Sequence, residues 1–555
     1  MKNSYNVELR EWQEKLKDKV AKAIKENFLV AINAPTGSGK TIFSLLILKI
    51  LQKKGVYVVR THNEYFPIYR DLKKIDTKLR FSFIVGKPAS CPFADKNVDP
   101  EDINCKYCEL KEGIREVDTN EKPPLQLLRE LKKNAIEERF CPYYSLFNSL
   151  QEADVIAITY PYFFIDRFRE SLGIDFEDYL VIVDEAHNLD RVGEIEERRL
   201  SEFTINMAIK EVKSKEAINT LERIKEELKK IVLPDEKYIK LDKVPQISTL
   251  ELEILADEYE DLRKRMLQNK QIKRIYLGAV IRFYTLLSTG EFAPFSHSGK
   301  IVLKNPNIGE YLRILNDESY SFLLMSGTLP PKEYIEKVWG VSRRIYYVDV
   351  EKEVKKRISG TYDCIIGIDI TSKYDLRSET LWKKYSNYLL KIYYQAKKHV
   401  LAIFPSYAMM NEVMKYIDLP KYIEKEDTII DEVYEEIRKH DKIIISAVGR
   451  GKLSEGIELT EQGKSLISDV VIAGIPYPPP DDYLKLVAQK LSEKLNGKEE
   501  EFLFKIPALI TVKQSIGRAI RGVDDHAKVW LLDKRFDSLW WKKNLNCFNA
   551  TKTRL

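Results

Sequence analysis

Two apolar runs, at 28–32 and 42–48, are separated by Asn-Ala-Pro-Thr-Gly-Ser-Gly-Lys-Thr, residues 33–41. No other stretch limits the fold so tightly, because a buried strand, a tight loop of small residues and a helix must follow one another in that order. Gly37, Ser38 and Gly39 let the backbone curl until successive N–H groups point into one concavity, and the helix that follows adds the positive end of its dipole. The stretch matches the tail of the phosphate-binding loop, in which a lysine reaches the outer phosphates of a nucleotide and a hydroxyl holds magnesium. Lys40 and Thr41 take those roles. Ala34, Pro35, Thr36, Gly37, Ser38 and Gly39 complete the cradle, with Ala34 standing where the general pattern has its first glycine.

Short apolar strands recur on both sides of this loop. The first series reads FLVAI at 28, VYVV at 56, SFIV at 82, DVIAI at 154, LVIV at 180 and FLLM at 322. A second series reads VLAIF at 400, KIIIS at 442, VVIAG at 470 and KVWLL at 528. Strands apolar on both faces and alternating with helical stretches predict parallel sheets covered by helices on each side, hence two α/β domains. A chain of 555 residues exceeds what one core supports and divides into roughly three or four domains. Two stretches interrupt the first series. From Cys91 to Cys141 the strand signal gives way to prolines, charges and cysteines. Between about 200 and 315 the pattern turns helical, with Ala217, Leu221, Ile224, Leu228 and Ile231 on one face and a Pro-rich break near 292–306.

The phosphate site needs acids. Val-Ile-Val-Asp-Glu-Ala-His-Asn puts Asp184 and Glu185 at the C-terminal end of a buried strand, where open α/β sheets bind ligands. Asp184 suits the nucleotide's magnesium, and Glu185 suits the orientation and deprotonation of an attacking water. His187 is read as a reporter of the γ-phosphate to neighbouring loops. In the second α/β domain, Gln514 opens QSIGRAIRG, in which Arg518 and Arg521 share one helix face and are placed to act as arginine fingers across an interdomain cleft. The catalytic set is therefore Lys40, Asp184, Glu185, Gln514, Arg518 and Arg521.

Four of the six cysteines fall in the first insertion, spaced C-x13-C-x2-C-x32-C as Cys91, Cys105, Cys108 and Cys141. Such a set satisfies either tetrahedral zinc or a four-cysteine iron–sulphur cluster. Cys364 and Cys547 stand apart and are read as ordinary, partly buried thiols. The net charge of +6 permits a polyanionic partner without demanding one. No apolar run approaches the roughly twenty residues of a membrane span, and the first residues lack a signal-peptide pattern, so a soluble, cytoplasmic protein with no membrane partner is expected. The Lys/Glu-rich composition with 31 tyrosines would suit a thermophile.

APTGSGKT, DEAH, MSGTL, GKLSEGIEL and QSIGRAIR, in that order, resemble helicase superfamily two, and in particular the iron–sulphur DNA helicases of the XPD family, closest to its archaeal members and with DinG and FANCJ among wider relatives. The resemblance covers almost the whole chain. It implies two RecA-like domains that hydrolyse ATP between them and move 5′ to 3′ on single-stranded DNA, a [4Fe-4S] cluster on the four cysteines and a role like that in nucleotide excision repair. The implied boundaries are 1–88, 146–205 and 316–350 for the first RecA-like domain, 89–145 for the cluster domain, 206–315 for a helical arch and 351–555 for the second RecA-like domain.

Further residues come from the same resemblance. Arg10 and Gln13 in LREWQ would contact adenine, and Gly456 the nucleotide. Arg60, Thr61 and His62 in VVRTHNE, Tyr160, Tyr162 and Phe163 in TYPYFF, Ser406 and Lys452 would contact DNA. Stacking on such aromatics is worth roughly 1–3 kcal/mol per base. Ser326 and Thr328 would couple the nucleotide to the DNA track, and Glu458 stands where many relatives carry aspartate. The expected partners are single-stranded and forked DNA, with a monomer and repair-protein partners. Other readings are an ATP-driven translocase or remodeller of DNA–protein complexes or R-loops without strong unwinding, and a redox-sensing DNA-binding module. Intact hydrolytic motifs in both domains count against the last, and DNA and RNA are not distinguished by sequence.

Overall fold

The computed structural model describes residues 8–425, 428–451, 453, 459–461 and 464–555. Lys452, Gly456 and Glu458 lie outside the described residues. Two seven-stranded sheets organise the chain. In the first, the spatial order is Ile345–Asp349, Leu29–Asn33, Ser321–Ser326, Tyr179–Val183, Lys54–Val59, Val155–Thr159 and Phe81–Phe83, with every neighbouring pair parallel. The strand before the phosphate loop thus lies inside the sheet. In the second, the order is Lys421–Ile423, Ile444–Val448, His399–Phe404, Ile467–Ile472, His526–Leu531, Thr361–Gly367 and Thr551–Thr553, again parallel throughout. Helices cover both faces of each sheet, so most interior strands are buried on both sides and read as unbroken apolar runs; Thr361–Gly367 is a partly exposed exception.

The stretch around 200–315 is not wholly helical. Helices Glu202–Glu211, Lys215–Ile231, Thr249–Gln268 and Tyr276–Ser288 pack around a core of their own. They are joined by an antiparallel sheet ordered Arg198–Ser201, Lys300–Lys304, Ala293–His297 and Ile239–Lys240. The expected Pro-rich break is a β-hairpin, turned at Ser298 and Gly299 with φ of 47° and 72°. Two consecutive positive φ values match the right-handed strand twist, which is how a two-residue loop closes a hairpin. The helix read from Ala217 to Ile231 forms as expected: Ala217, Leu221, Ile224 and Leu228 are buried, and Ser214 caps it by accepting from the Ala217 N–H at 3.3 Å.

The cysteine insertion is held by short turns and the helices Pro124–Asn134 and Pro142–Ser149. Its small core of Phe93, Val98, Ile103 and Leu110 is completed by Leu267 and Ile272 from the helical insertion. Buried Asp102 pairs with Arg282 at 2.8 Å across the same boundary. The helical insertion also reaches the second sheet domain. The Tyr238 N–H donates to Asp481 Oδ2 at 3.2 Å, Lys240 N–H to Asp482 Oδ2 at 3.0 Å, and Asp482 N–H back to the Tyr238 carbonyl at 3.0 Å.

Cys364 and Cys547 are not free thiols. The C-terminal strand Thr551–Thr553 folds back to pair with Thr361–Gly367, which sets the two cysteines 5.7 Å apart at Cα and joins them in a disulfide inside the core of the second domain. A separation of 183 residues hides this pairing from any local pattern. Among the described residues no helix is long and apolar enough to cross a membrane.

Candidate nucleotide site

The cradle is built from backbone. Gly37 and Gly39 take φ of 75° and 89°, and the helix Lys40–Leu51 begins directly after them. A side chain on either glycine would be strained by that conformation and would also collide, with the Arg521 carbonyl oxygen 2.8 Å from a Cβ at Gly37 and the Gln13 amide 2.8 Å from one at Gly39. The loop is braced from the N-terminal helix Glu11–Lys25. Trp12 Nε1 donates to the Ser38 carbonyl at 3.0 Å, and Gln13 Nε2 donates to the Gly39 carbonyl at 2.9 Å. Gln13 Oε1 meanwhile accepts from the Arg10 N–H at 2.8 Å. Gln13, expected at the adenine, is here a buried brace of the loop, and its neighbour Trp12, which sequence reasoning passed over, does the same work.

Lys40 Nζ lies 3.3 Å from the Ala34 carbonyl, inside the cradle. The strand Ser321–Ser326 and its following loop close the other wall: Ala34 N–H donates to the Ser326 carbonyl at 2.8 Å, and Leu329 N–H to Asn33 Oδ1 at 3.0 Å. Ser38 Oγ and Thr328 Oγ1 are buried here with no hydrogen-bond partner among the described residues. Buried hydroxyls without partners are uncommon, and two at a loop of inward N–H groups suit the oxygens of a bound phosphate.

Asp184 and Glu185 end the strand Tyr179–Val183 as expected. Glu185 is left-handed, at φ 48° and ψ 41°, a conformation that non-glycine residues seldom adopt and that the surroundings must hold. Burial, reinforced by the Glu185 charge and opposed by Lys40, pushes the Asp184 carboxyl up to about 6. Burial acts on Glu185 too, but Lys40, His187, Arg518 and Arg521 together bring it below the ordinary carboxylate value. The two arginines come from the second domain. They share the helix Ile506–Ala519 and its C-terminal edge, where Gln514 Nε2 donates to His187 Nε2. The other ring nitrogen of His187 donates to Ser326 Oγ at 2.6 Å, and Ser326 Oγ accepts from the Thr328 N–H at 3.0 Å. Both domains thus meet at the predicted catalytic residues.

The expected DNA-contact residues divide. Arg60 and Thr61 are exposed, and His62 is half-buried against Tyr65. Tyr160 and Phe163 are core residues, 4% and 0% exposed, which leaves neither ring a face for a base. Both were expected as stacking platforms, and sequence does not reveal which face of the turn after a strand points inward. Tyr162 is half-buried beside Phe168. Ser406 caps the helix Tyr407–Met414, its hydroxyl accepting from the Met409 N–H at 3.3 Å. Two further carboxylates were missed. Glu64 accepts from the N–H groups of Arg60 and Thr61 and from the Thr61 hydroxyl at 3.2, 3.1 and 2.9 Å, and faces Asp184 and Glu185. Its signal was available, since Thr61-His62-Asn63-Glu64 is a capping box. Glu424, fully buried, accepts from the N–H groups of Val448 and Leu453 at 2.8 Å each and so fixes the loop bearing Arg450; no local pattern marks it.

Cys91, Cys105, Cys108 and Cys141 line one cavity together with Phe93, Leu110, Tyr143 and Ile272. Burial pushes the Cys91 thiol up to about 11, with the other three thiols adding to the effect. Among the described residues no three His, Cys, Asp or Glu side chains close around a single metal ion. Four sulphur donors around one largely apolar cavity are a donor set that fits an iron–sulphur cluster.

A family model for the helicase C-terminal domain matches residues 389–547, and a DEAD_2 model matches residues 85–205. The chain is 59% identical over 551 residues to the ATP-dependent DNA helicase XPD of Sulfolobus acidocaldarius, covering 99% of this chain and 100% of that protein. It is 25% identical over 471 residues to the ATP-dependent DNA helicase CHL1 of Kluyveromyces lactis, covering 71% of this chain and 56% of that protein, and so spans little more than half of that relative's length. A solved XPD helicase structure superposes with a TM-score of 0.96 at 60% identity, covering 99% of this chain and 100% of that one. With a phosphate cradle, paired acids and a facing arginine helix in that same framework, the chain belongs to the XPD family of helicases.

Proposed function

We propose that this protein is an ATP-dependent DNA helicase that translocates 5′ to 3′ on single-stranded DNA, unwinds duplexes and serves in DNA repair. The observation that carries the motor reading is the contact between domains at the nucleotide site: the Arg521 carbonyl lies over Gly37, and Gln514 reaches His187. A cleft closed in this way by residues of both domains lets hydrolysis in one place change the distance between two track-gripping bodies. In it Lys40 holds the outer phosphates, Thr41 and Asp184 the magnesium, Glu185 the attacking water, and Arg518 and Arg521 the charge that develops during transfer. Arg10 and Gln13 are the residues for the base.

The domain boundaries are those implied by the family resemblance. Cys91, Cys105, Cys108 and Cys141 would hold a [4Fe-4S] cluster, which would act as a rigid staple for the insertion beside the fork and take no part in hydrolysis. Arg60, Thr61, His62 and Tyr162 face the DNA. The protein acts as a monomer in the cytoplasm with repair partners. The 59%-identical relative is named as an ATP-dependent DNA helicase over its full length, which supports unwinding over remodelling alone. The test compares unwinding of 5′-tailed and 3′-tailed duplexes by anaerobically purified protein, with iron and sulphide measured alongside. Unwinding of the 5′-tailed substrate alone is expected; ATP turnover on DNA with neither duplex opened would establish the remodeller instead.

A further inference from the structure

Tyr160 is spent on the catalytic acids. It follows the strand Val155–Thr159 and opens the short helix Tyr160–Phe164. Its phenol O–H donates to the main-chain carbonyls of Asp184 at 2.6 Å and Glu185 at 2.9 Å. One proton shared between two carbonyls holds the peptide groups on either side of the Glu185 α-carbon, where the backbone is left-handed. That backbone aims the Glu185 carboxylate, so a shift of the phenol alters the aim. The same ring lies near the charges of Arg60 and Glu64, and Glu64 in turn near Asp184 and Glu185, so the two segments that carry proposed DNA contacts, 60–64 and 160–164, converge at the two acids.

We propose that Tyr160 is a positioning residue that relays occupancy of the DNA track to Glu185, tightening the geometry of the hydrolytic water when the 160–164 turn is pressed by a bound strand. The relay rests on the motor reading above. It needs no movement of the second domain, and therefore acts in addition to the contact made by Gln514.

Tyr160→Phe tests it, because phenylalanine keeps the buried ring and removes only the O–H. Steady-state ATPase is measured with and without a single-stranded oligonucleotide, together with oligonucleotide affinity by fluorescence anisotropy. The expected result is a stimulation factor, the ratio of kcat with DNA to kcat without, reduced at least fivefold, while KM for ATP and oligonucleotide affinity stay within twofold of wild type. A purely structural brace would instead lower kcat equally with and without DNA, and that outcome overturns the relay. A variant stimulated as strongly as wild type also overturns it. A wild-type enzyme indifferent to DNA overturns the motor reading and the relay together, which separates the two failures.

Discussion

Gln514 and His187 touch across the interdomain cleft, and His187 in turn holds Ser326, so one unbroken line of side chains joins the arginine helix, the catalytic acids and the loop after a central strand. A net hydrogen bond is worth about 1 kcal/mol. Removing one should therefore cost roughly fivefold in a step that depends on the line. Gln514→Ala and His187→Ala are each expected to lower kcat for ATP by about that factor with KM little changed. Because both act on one network, the double variant should be no worse than the poorer single one, giving a coupling of about 0.5–3 kcal/mol in a double-mutant cycle. Additive losses would show that the two residues work separately.

The site residues around the cradle separate binding from chemistry. Lys40→Ala should weaken ATP binding and abolish turnover, whereas Glu185→Gln should bind ATP and DNA and fail only in hydrolysis. Removing Arg518 or Arg521 should lower kcat by about 10³–10⁵ with ATP affinity largely kept, the range known for such fingers. Nucleotide binding by fluorescence and steady-state ATPase measure each arm. Near-normal hydrolysis in Lys40→Ala or Glu185→Gln would refute the cradle assignment, and an effect of the arginines on DNA affinity alone would move them to the track.

What sequence revealed and what it hid follow from the same physics. Most interior strands were legible because burial on both faces demands continuous apolar runs, as at Leu180 to Val183, whereas the interior strand Thr361–Gly367, polar and partly exposed over its first half, was missed. The edge strands Ile345–Asp349, Lys421–Ile423 and Thr551–Thr553 were missed, being short or only partly buried. The hairpin at Ser298 and Gly299 was masked by Pro294, which sits within its first strand. The cradle was legible because a phosphate site built from backbone N–H groups needs glycine at fixed places. Tyr160 was not, because an aromatic after a strand looks the same in sequence whether its ring faces a base or a carbonyl.

The cysteine insertion offers a third test. It contributes no side chain to the nucleotide cradle, but its core is shared with the helical insertion through Leu267 and Ile272. Replacing Cys105 with Ser should lower bound iron and loosen residues 91–141 as well as the Asp102–Arg282 contact, seen as faster hydrogen exchange in both segments. DNA-stimulated ATPase should persist while duplex unwinding is lost. Unwinding at the wild-type rate by an iron-free preparation would remove the staple from the mechanism, and stoichiometric zinc in the wild type would replace the cluster.

The disulfide between Cys364 and Cys547 carries the last prediction. It links the strand Thr361–Gly367 to the segment that leads into the C-terminal strand, so it closes a loop containing nearly all of the second domain. Cross-linking residues so far apart restricts the unfolded chain strongly, and such bonds typically contribute about 2–4 kcal/mol. Disulfides are rare in the cytosol of mesophiles but frequent inside hyperthermophiles, which accords with the Lys/Glu-rich composition. Cys547→Ala should therefore lower the thermal midpoint of the second domain by several degrees without changing ATPase at moderate temperature, because both sulphurs lie in that domain's hydrophobic core and neither is among the residues placed at the nucleotide site. Reductant alone is a poor probe, since it also acts on the cysteines of the insertion. Thiol titration of freshly denatured Cys105→Ser protein, with and without prior reduction, gives the direct reading: two additional thiols after reduction are expected from this pair, and their appearance without reduction would show that the bond does not form in the purified protein.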